Sequence, residues 1–314
     1  MGRRSYLGIR QLKLFAFFAS LLAAGCSSAE PPAAIAFELS GHLEDDKIRE
    51  ASGLARSQLT PGNLWIINDN GAKERVHAIS ADGSRLGEFD VSDAKNRDWE
   101  DLASFRKDGT PYLMVADIGD NDAKRSKRTL YFVAEPQPEK NAQADLGWRV
   151  DYQYPDGPRD AESAAVDVDS EQVLILSKRD RPPQLYAVPM KSDAGDPVTA
   201  EFLGLVNSLH QPTQQEIAMA PKLKDWFWQP VAMDIAADNR AAVILTYRAV
   251  YYFERESGQS WLDALNTAPL RIGIGNLENA EAVAFADDQR TVVVTGENKN
   301  SPIIRVNLQG VVQQ

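Results

Sequence analysis

Five times along this chain the same order of segments recurs, and that recurrence limits the fold more than any other feature. Each unit opens on a short stretch of small and apolar residues. The openings are Ser52-Gly-Leu-Ala, Glu100-Asp-Leu-Ala, Glu162-Ser-Ala-Ala, Met233-Asp-Ile-Ala and Glu281-Ala-Val-Ala. A second run follows: LWIIND (64–69), YLMVAD (112–117), VLILSK (173–178), AVILTY (242–247) and TVVVTGE (291–297). A third run carries aromatic and β-branched residues: RVHAI (75–79), TLYFV (129–133), QLYAV (184–188), AVYYF (249–253) and PIIRV (302–306). Fourth strands fit LGEFDV (86–91), WRVDYQY (148–154), AEFLGLV (200–206) and LRIGIG (270–275). These runs have the length and Val/Ile/Tyr content of strands, and Asp/Gly/Pro/Asn clusters separate them.

The fifth unit lacks a fourth strand, and AIAFELSG (34–41) is a strand without a unit. Placing one in the gap of the other closes a ring and removes both open edges. The expectation is an all-β chain: a β-propeller of five four-stranded blades, closed by the N-terminal strand. The alternatives are a β-sandwich and a six-bladed ring with a blade inside 207–230.

The first 25 residues read as a signal peptide rather than as fold. Arg3, Arg4, Arg10 and Lys13 precede an apolar run, Leu14 to Leu22, which ends in Ala23-Ala24-Gly25-Cys26. That run is far shorter than the roughly 20 residues needed to span a bilayer. Small residues before a cysteine resemble a lipobox, with Leu22 one place earlier than usual. Cys26 is the chain's single cysteine, so lipid attachment would explain a lone thiol in an exported protein. An ordinary signal peptide with an incidental cysteine is the alternative. Arg3-Arg4 also fits twin-arginine export. The expected organisation is a signal peptide at 1–25, a Ser/Pro/Ala tether at 26–33 and a propeller at 34–314. Localisation follows: the bacterial envelope, lipid-anchored, with the outer membrane ahead of the inner because Ser27 is no aspartate. The net charge is −11. Loss of the signal's four basic residues makes it roughly −15, a surface that repels polyanions and argues against nucleic acid as a partner.

In a propeller the start of each first strand and the end of each second strand meet at one mouth of the central channel. Two rings of residues follow. The inner ring is Ser52, Glu100, Glu162, Met233 and Glu281, with Asp101 and Asp234 one step away and Asp234 or Gln229 as substitutes in the fourth unit. Carboxylates packed this closely either gain protons or hold a cation. Oxygen ligands favour Ca²⁺, then Mg²⁺; three histidines and one cysteine make zinc or copper a poor fit. Glutamates bonding backbone amides at the blade starts are the alternative. The outer ring is Asn68-Asp69, Asp117 to Asn121, Lys178-Arg179, Tyr247-Arg248 and Glu297-Asn298. Its bases suit an anionic group, while Asp, Asn and Gly also dominate turns for backbone reasons. The insertion 207–230 carries Trp226, Phe227 and Trp228, as a lid over the mouth or as packing against the ring.

At Asn96-Arg-Asp-Trp-Glu-Asp-Leu-Ala103 and Asp117-Ile-Gly-Asp-Asn121 the chain resembles exported bacterial propeller proteins with DWED and GDIGDN motifs. Ala116 stands where those proteins carry glycine. That resemblance covers most of 48–306 and implies the fold more than a function. A more distant resemblance is to the five-bladed calcium-activated nucleotidases (apyrases), whose calcium is held by a Ser, Glu, Glu, Ser, Glu series. It implies a central Ca²⁺ held by Ser52, Glu100, Glu162 and Glu281, with Met233 out of pattern. The β-propeller phytases are similarly calcium-rich.

Two functions are therefore expected. One is an envelope lipoprotein whose propeller binds Ca²⁺ and serves as a ligand- or protein-binding module. Its partners would be the membrane, through lipid on Cys26, and an anionic small molecule or envelope protein, with the propeller monomeric. The other is a Ca²⁺-dependent hydrolase of phosphate esters or anhydrides. There Asp69 or Asp117 would act as general base, and Lys178 and Arg248 would clamp the phosphate. The first function needs no catalysis and the second does, and the residues fit both.

Overall fold

The structure, a computed structural model, describes residues 36–308 except 138–141, 194, 220 and 276. The signal peptide, Cys26 and the tether lie outside the described residues. No described helix is long and apolar enough to cross a membrane.

The closing strand β1 (Ala36–His42) comes first in the chain and belongs to the last blade. Blade 1 is β2 (Ala51–Arg56), β3 (Leu64–Asn68), β4 (Arg75–Ile79) and β5 (Arg85–Val91). Blade 2 is β6 (Trp99–Lys107), β7 (Thr110–Asp117), β8 (Arg128–Ala134) and β10 (Leu146–Gln153). Between the last two, β9 (Ala142–Ala144) adds a fifth strand to blade 1, parallel to β5. Blade 3 is β11 (Ala161–Asp167), β12 (Gln172–Ser177), β13 (Gln184–Pro189) and β15 (Glu201–Leu205). The short β14 (Val198–Thr199) joins blade 2, parallel to β10. Blade 4 is β16 (Pro230–Ile235), β17 (Ala241–Thr246), β18 (Ala249–Glu254) and β19 (Leu270–Gly273). Blade 5 is β20 (Ala280–Phe285), β21 (Thr291–Gly296), β22 (Pro302–Asn307) and β1.

The protein is therefore a five-bladed β-propeller, with two blades widened by a fifth strand. Strand β1 pairs antiparallel with β22, Phe37 opposite Val306 and Leu39 opposite Ile304, so the first strand completes the last blade. The join is tight. Gly41 lies so close to the β4–β5 turn that a Cβ there would stand 1.9 Å from the Asp82 carbonyl oxygen.

The strands are buried on both faces because each blade is covered by its two neighbours. The apolar side chains accordingly form clusters between blades rather than one centre. Trp65, Phe89, Trp99 and Tyr131 fill the space between blades 1 and 2. Phe105, Phe132, Tyr152 and Tyr186 fill that between 2 and 3. Sheets buried on both sides read as unbroken apolar runs, which is why VLILS and AVILT show no alternation.

The insertion before blade 4 forms α1 (Gln214–Met219) and a single 3-10 turn. Thr213 and Glu216 cap the helix reciprocally: the Thr213 amide donates to Glu216 Oε2 at 2.8 Å, and the Glu216 amide to Thr213 Oγ1 at 3.2 Å. Phe227 and Trp228 are buried against the ring, while Trp226 stays exposed. A second helix, α2 (Trp261–Leu265), covers the outer side of blades 3 and 4.

Candidate functional site

Each first strand breaks its pairing at its start. The register slips between Trp99 and Asp101, Ala161 and Ser163, Pro230 and Ala232, and Ala280 and Ala282. In blade 1 it slips between Ala51 and Leu54. A bulge re-aims the residue it leaves unpaired. The residues so re-aimed are Glu100, Glu162, Val231 and Glu281, with Ser52 and Gly53 in blade 1. Four of the five expected inner-ring residues thus hold equivalent places. The fourth blade differs: Val231, not Met233, occupies the ring position. Met233 is two residues further along β16 and buried in the core between blades 3 and 4.

The same pairing fixes the outer ring. Asn68, Asp117, Ser177, Thr246 and Gly296 sit opposite the residues that open each first strand. The next residue in each unit is Asp69, Ile118, Lys178, Tyr247 and Glu297. Asp117 and Arg248 each stand one residue off this register, which turns a side chain to the other face. The Asp117 carboxylate accepts from Arg125 Nη2 at 2.8 Å and from the Asp98 amide at 3.1 Å. The Arg248 guanidinium lies over the Phe227 ring, 5.7 Å from its centre. No hydrogen bond or ion pair joins it to a carboxylate among the described residues.

At the mouth, acids crowd around one ammonium. Lys178 Nζ bonds Glu162 Oε1 and reaches the Tyr247 hydroxyl at 3.1 Å. Burial alone would lower Lys178, but the charges of Glu162, Glu281 and Glu100 hold it above its usual range. Burial pushes the Glu100 carboxyl well up, and the charges of Glu162, Asp69 and Asp98 push it further. Burial and the Glu162 and Glu297 charges do the same to Glu281. Glu162 is raised by burial despite its lysine. Asp69 and Asp98, side by side, are raised by burial and, for Asp98, by the Asp69 charge.

Within this cluster Asp69, Asp98 and Glu100 each offer an oxygen, and the three atoms lie within 4.8 Å of one another. Asp98 belongs to the DWED motif but to neither of the two rings expected from the repeat. It lies in the loop before β6, held there by its own amide on Asp117 and by its carbonyl, which accepts from the Gly119 amide at 3.2 Å. Two buried carboxylate oxygens, Asp98 Oδ1 and Glu162 Oε2, have no hydrogen-bond partner. Buried polar atoms are normally satisfied, and each of these two oxygens has lone pairs available to a proton, a water or a cation. The donor set fits a hard divalent cation, since Ca²⁺ takes six to eight oxygens from carboxylates, carbonyls and water.

Ser52 does not behave as a free ligand. Its hydroxyl donates to the Glu100 carbonyl at 2.5 Å, tying blade 1 to blade 2, and stands 3.4 Å from Glu100 Oε2. Asp101 and Asp234 are also tied into the frame. Asp101 Oδ2 accepts from the Ala164 amide of blade 3 at 2.8 Å and the Met233 amide of blade 4 at 3.0 Å. Asp234 Oδ2 accepts from the Phe285 amide of blade 5 at 2.8 Å. Beside the carboxylates a cavity of about 540 Å³ opens in blade 1, with Asp69 on its wall. On the far side Trp226 leans on Tyr247, ring centres 6.1 Å apart.

No family model matches the chain, and no curated protein is detectably similar to it in sequence. Among solved structures it is similar to a luciferin-regenerating enzyme, with a TM-score of 0.47 and 9% identity over 87% of this chain and 95% of that one. It is also similar to a gluconolactonase from Xanthomonas campestris, with a TM-score of 0.42 and 13% identity over 89% of this chain and 99% of that one. It is similar as well to U3-55K, with a TM-score of 0.38 and 9% identity over 82% of this chain and 68% of that one. Likeness at this level leaves the function to the site itself.

Proposed function

We propose that the channel mouth binds one divalent cation, Ca²⁺ ahead of Mg²⁺, and that the propeller uses it to bind an anionic small molecule. The observation that carries this reading is the Asp69, Asp98 and Glu100 cluster, whose oxygens lie within 4.8 Å of one another while Asp98 Oδ1 and the neighbouring Glu162 Oε2 lack partners. These three residues would hold the ion, with Glu162 and Glu281 adding negative potential behind it. Bound there, the cation would attract and polarise an anionic oxygen. Lys178 neutralises Glu162. Asp69 is half-buried at the rim, where a ligand would meet the ion first.

Hydrolysis of a phosphate ester or anhydride is the second reading. It is favoured by the contact of Lys178 with Tyr247, which sets an ammonium and a phenol beside the carboxylates. In that case Asp69 takes the proton from water, and Asp117, already held by Arg125, does not. Attachment to the envelope through Cys26 belongs to the same proposal, and would hold the propeller at a membrane surface.

Titration calorimetry with CaCl₂ on the chain from residue 27 onward tests the first reading. We expect about one ion per chain, as for a single oxygen-ligand site, and no heat in Asp98→Asn. Equal binding by parent and variant would place any cation elsewhere; no binding by the parent would remove the site. A turnover assay on p-nitrophenyl phosphate and pyrophosphate decides the second reading.

A further inference from the structure

The cavity in blade 1 has a chemistry of its own. Lys47, Arg49, Lys73 and Arg75 line it, together with Asn68, Asn70 and His77. Two of these cations are committed. Lys47 binds Glu88 at 2.7 Å, and Arg75 binds Glu88 at 2.8 Å and Asp90 at 2.5 Å. The other two are not. Arg49 makes one side-chain hydrogen bond, from Nε to the Asp46 carbonyl at 3.0 Å, and Lys73 makes none; neither forms an ion pair among the described residues. Both are exposed on the cavity wall. On a chain with net charge −11, Arg49 and Lys73 place two cations free of ion pairs on one cavity wall.

The cavity reaches the carboxylate cluster through Asp69, which belongs to both. Its volume of about 540 Å³ falls in the range of small-molecule sites. Its lining carries both signs: the acids Glu50 and Asp69, and the uncommitted cations Arg49 and Lys73. A divalent cation held by Asp69, Asp98 and Glu100 would offset two of their three charges and keep coordination positions open for an anionic oxygen at that wall.

We propose that this cavity is the ligand pocket of the cation centre, and that its ligand is a small molecule with two anionic groups. One group meets the cation at Asp69, and Arg49 and Lys73 take the other. The inference rests on the cation reading above. Phosphate and carboxylate share the chemistry that Arg and Lys recognise, and the experiment separates them.

Thermal unfolding is followed in the Ca²⁺-loaded protein with rising inorganic pyrophosphate, and separately with rising succinate, each kept well below the total Ca²⁺. Parent and the Arg49→Ala/Lys73→Ala variant are compared. Both positions are exposed, so the variant folds as the parent does. A ligand that binds only the folded state raises the midpoint. The expected result is a rise in the parent with at least one of the two anions, and an apparent affinity about tenfold or more weaker in the variant. Whichever anion acts names the group. Ca²⁺ affinity measured on both proteins keeps the two ideas apart. Loss of Ca²⁺ binding by the parent defeats the cation reading. Normal Ca²⁺ binding with identical anion curves in parent and variant, or with no response to either anion, overturns the pocket.

Discussion

Gly119 has no side chain where Glu100 and Asp98 need the room. A Cβ there would stand 2.2 Å from Glu100 Oε1 and 2.5 Å from Asp98 Oδ2. Gly119→Ala therefore displaces both carboxylates of the cluster at once. We expect Ca²⁺ affinity to fall by more than about tenfold, with a stability cost of about 1 to 3 kcal/mol from overpacking. Calorimetry and urea unfolding on the same variant check the two numbers. Away from the mouth, Asp45 tests the sign of a carboxylate held the other way. Burial alone would raise it, but the His77 hydrogen bond, the Lys47 amide and the Arg85 guanidinium bring it down to about 2. An unfolded aspartate titrates near 3.9. The ionised form is thus favoured in the fold, and its stabilisation is complete above about pH 4 and lost as pH falls to about 2. Asp45→Asn should lower the unfolding midpoint at pH 6 and match the parent near pH 2. A constant gap across that range would refute the assignment. Single residues were also where the sequence misled. Asp117 and Asp69 both close a second run, but the pairing makes Ile118 the counterpart of Asp69. Nothing in YLMVADIG marks which residue of the pair faces the channel, since the run is buried on both faces.

At the level of elements, strands are held to one another by first-strand side chains as well as by apolar packing. Asp101 accepts three backbone amides: Leu102 on its own strand, Ala164 on β11 and Met233 on β16. Burial raises its carboxyl strongly, and the three amides oppose that shift. Asp101→Ala strands three buried donors. At about 1 to 3 kcal/mol for each unsatisfied group, and with partial relaxation, we expect a loss of about 3 to 5 kcal/mol in chemical unfolding. Asp101→Asn, which keeps one carbonyl oxygen, should lose less. Were Asp101→Ala as stable as the parent, the carboxylate would not be what joins blades 2, 3 and 4. The blade strands themselves were legible, because each is long enough to carry its own β-branched run. So was the closing role of 34–41, from the strand missing at the other end. Strands β9 and β14 were not. Ala-Gln-Ala and Val-Thr have no pattern of their own, and they become strands only by pairing with β5 and β10. The fourth-blade register was illegible for a related reason: Met233-Asp-Ile-Ala mimics Glu100-Asp-Leu-Ala, while the bulge that defines the ring falls at Val231.

A closed ring concentrates charge on its axis, and the whole molecule bears the cost. Five first strands converge, and each aims the residue at its bulge toward the same mouth, so Glu100, Glu162 and Glu281 are buried together whatever else they do. Lys178 answers part of that charge, and Glu100 stays strongly raised by burial and by the acids around it. Without a cation, an ionised Glu100 opposes folding; with one, it is the ligand that rewards it. Glu100→Gln should then act in opposite directions under the two conditions. In EDTA at pH 8 the variant should be more stable than the parent, by about 1 to 3 kcal/mol, because it removes a buried carboxylate crowded by like charges while keeping most of the volume. With Ca²⁺ at about a thousand times its dissociation constant the order should invert, since such a ligand adds about 4.1 kcal/mol to the protein that binds it and nothing to the one that does not. Urea unfolding of both proteins in both buffers provides the four numbers. A crossing of the two orders fits a propeller whose axis is built for a cation. A variant less stable in both buffers would mean that Glu100 serves the frame, as Asp101 does, and that the ring of acids is held by its own hydrogen bonds and Lys178 alone.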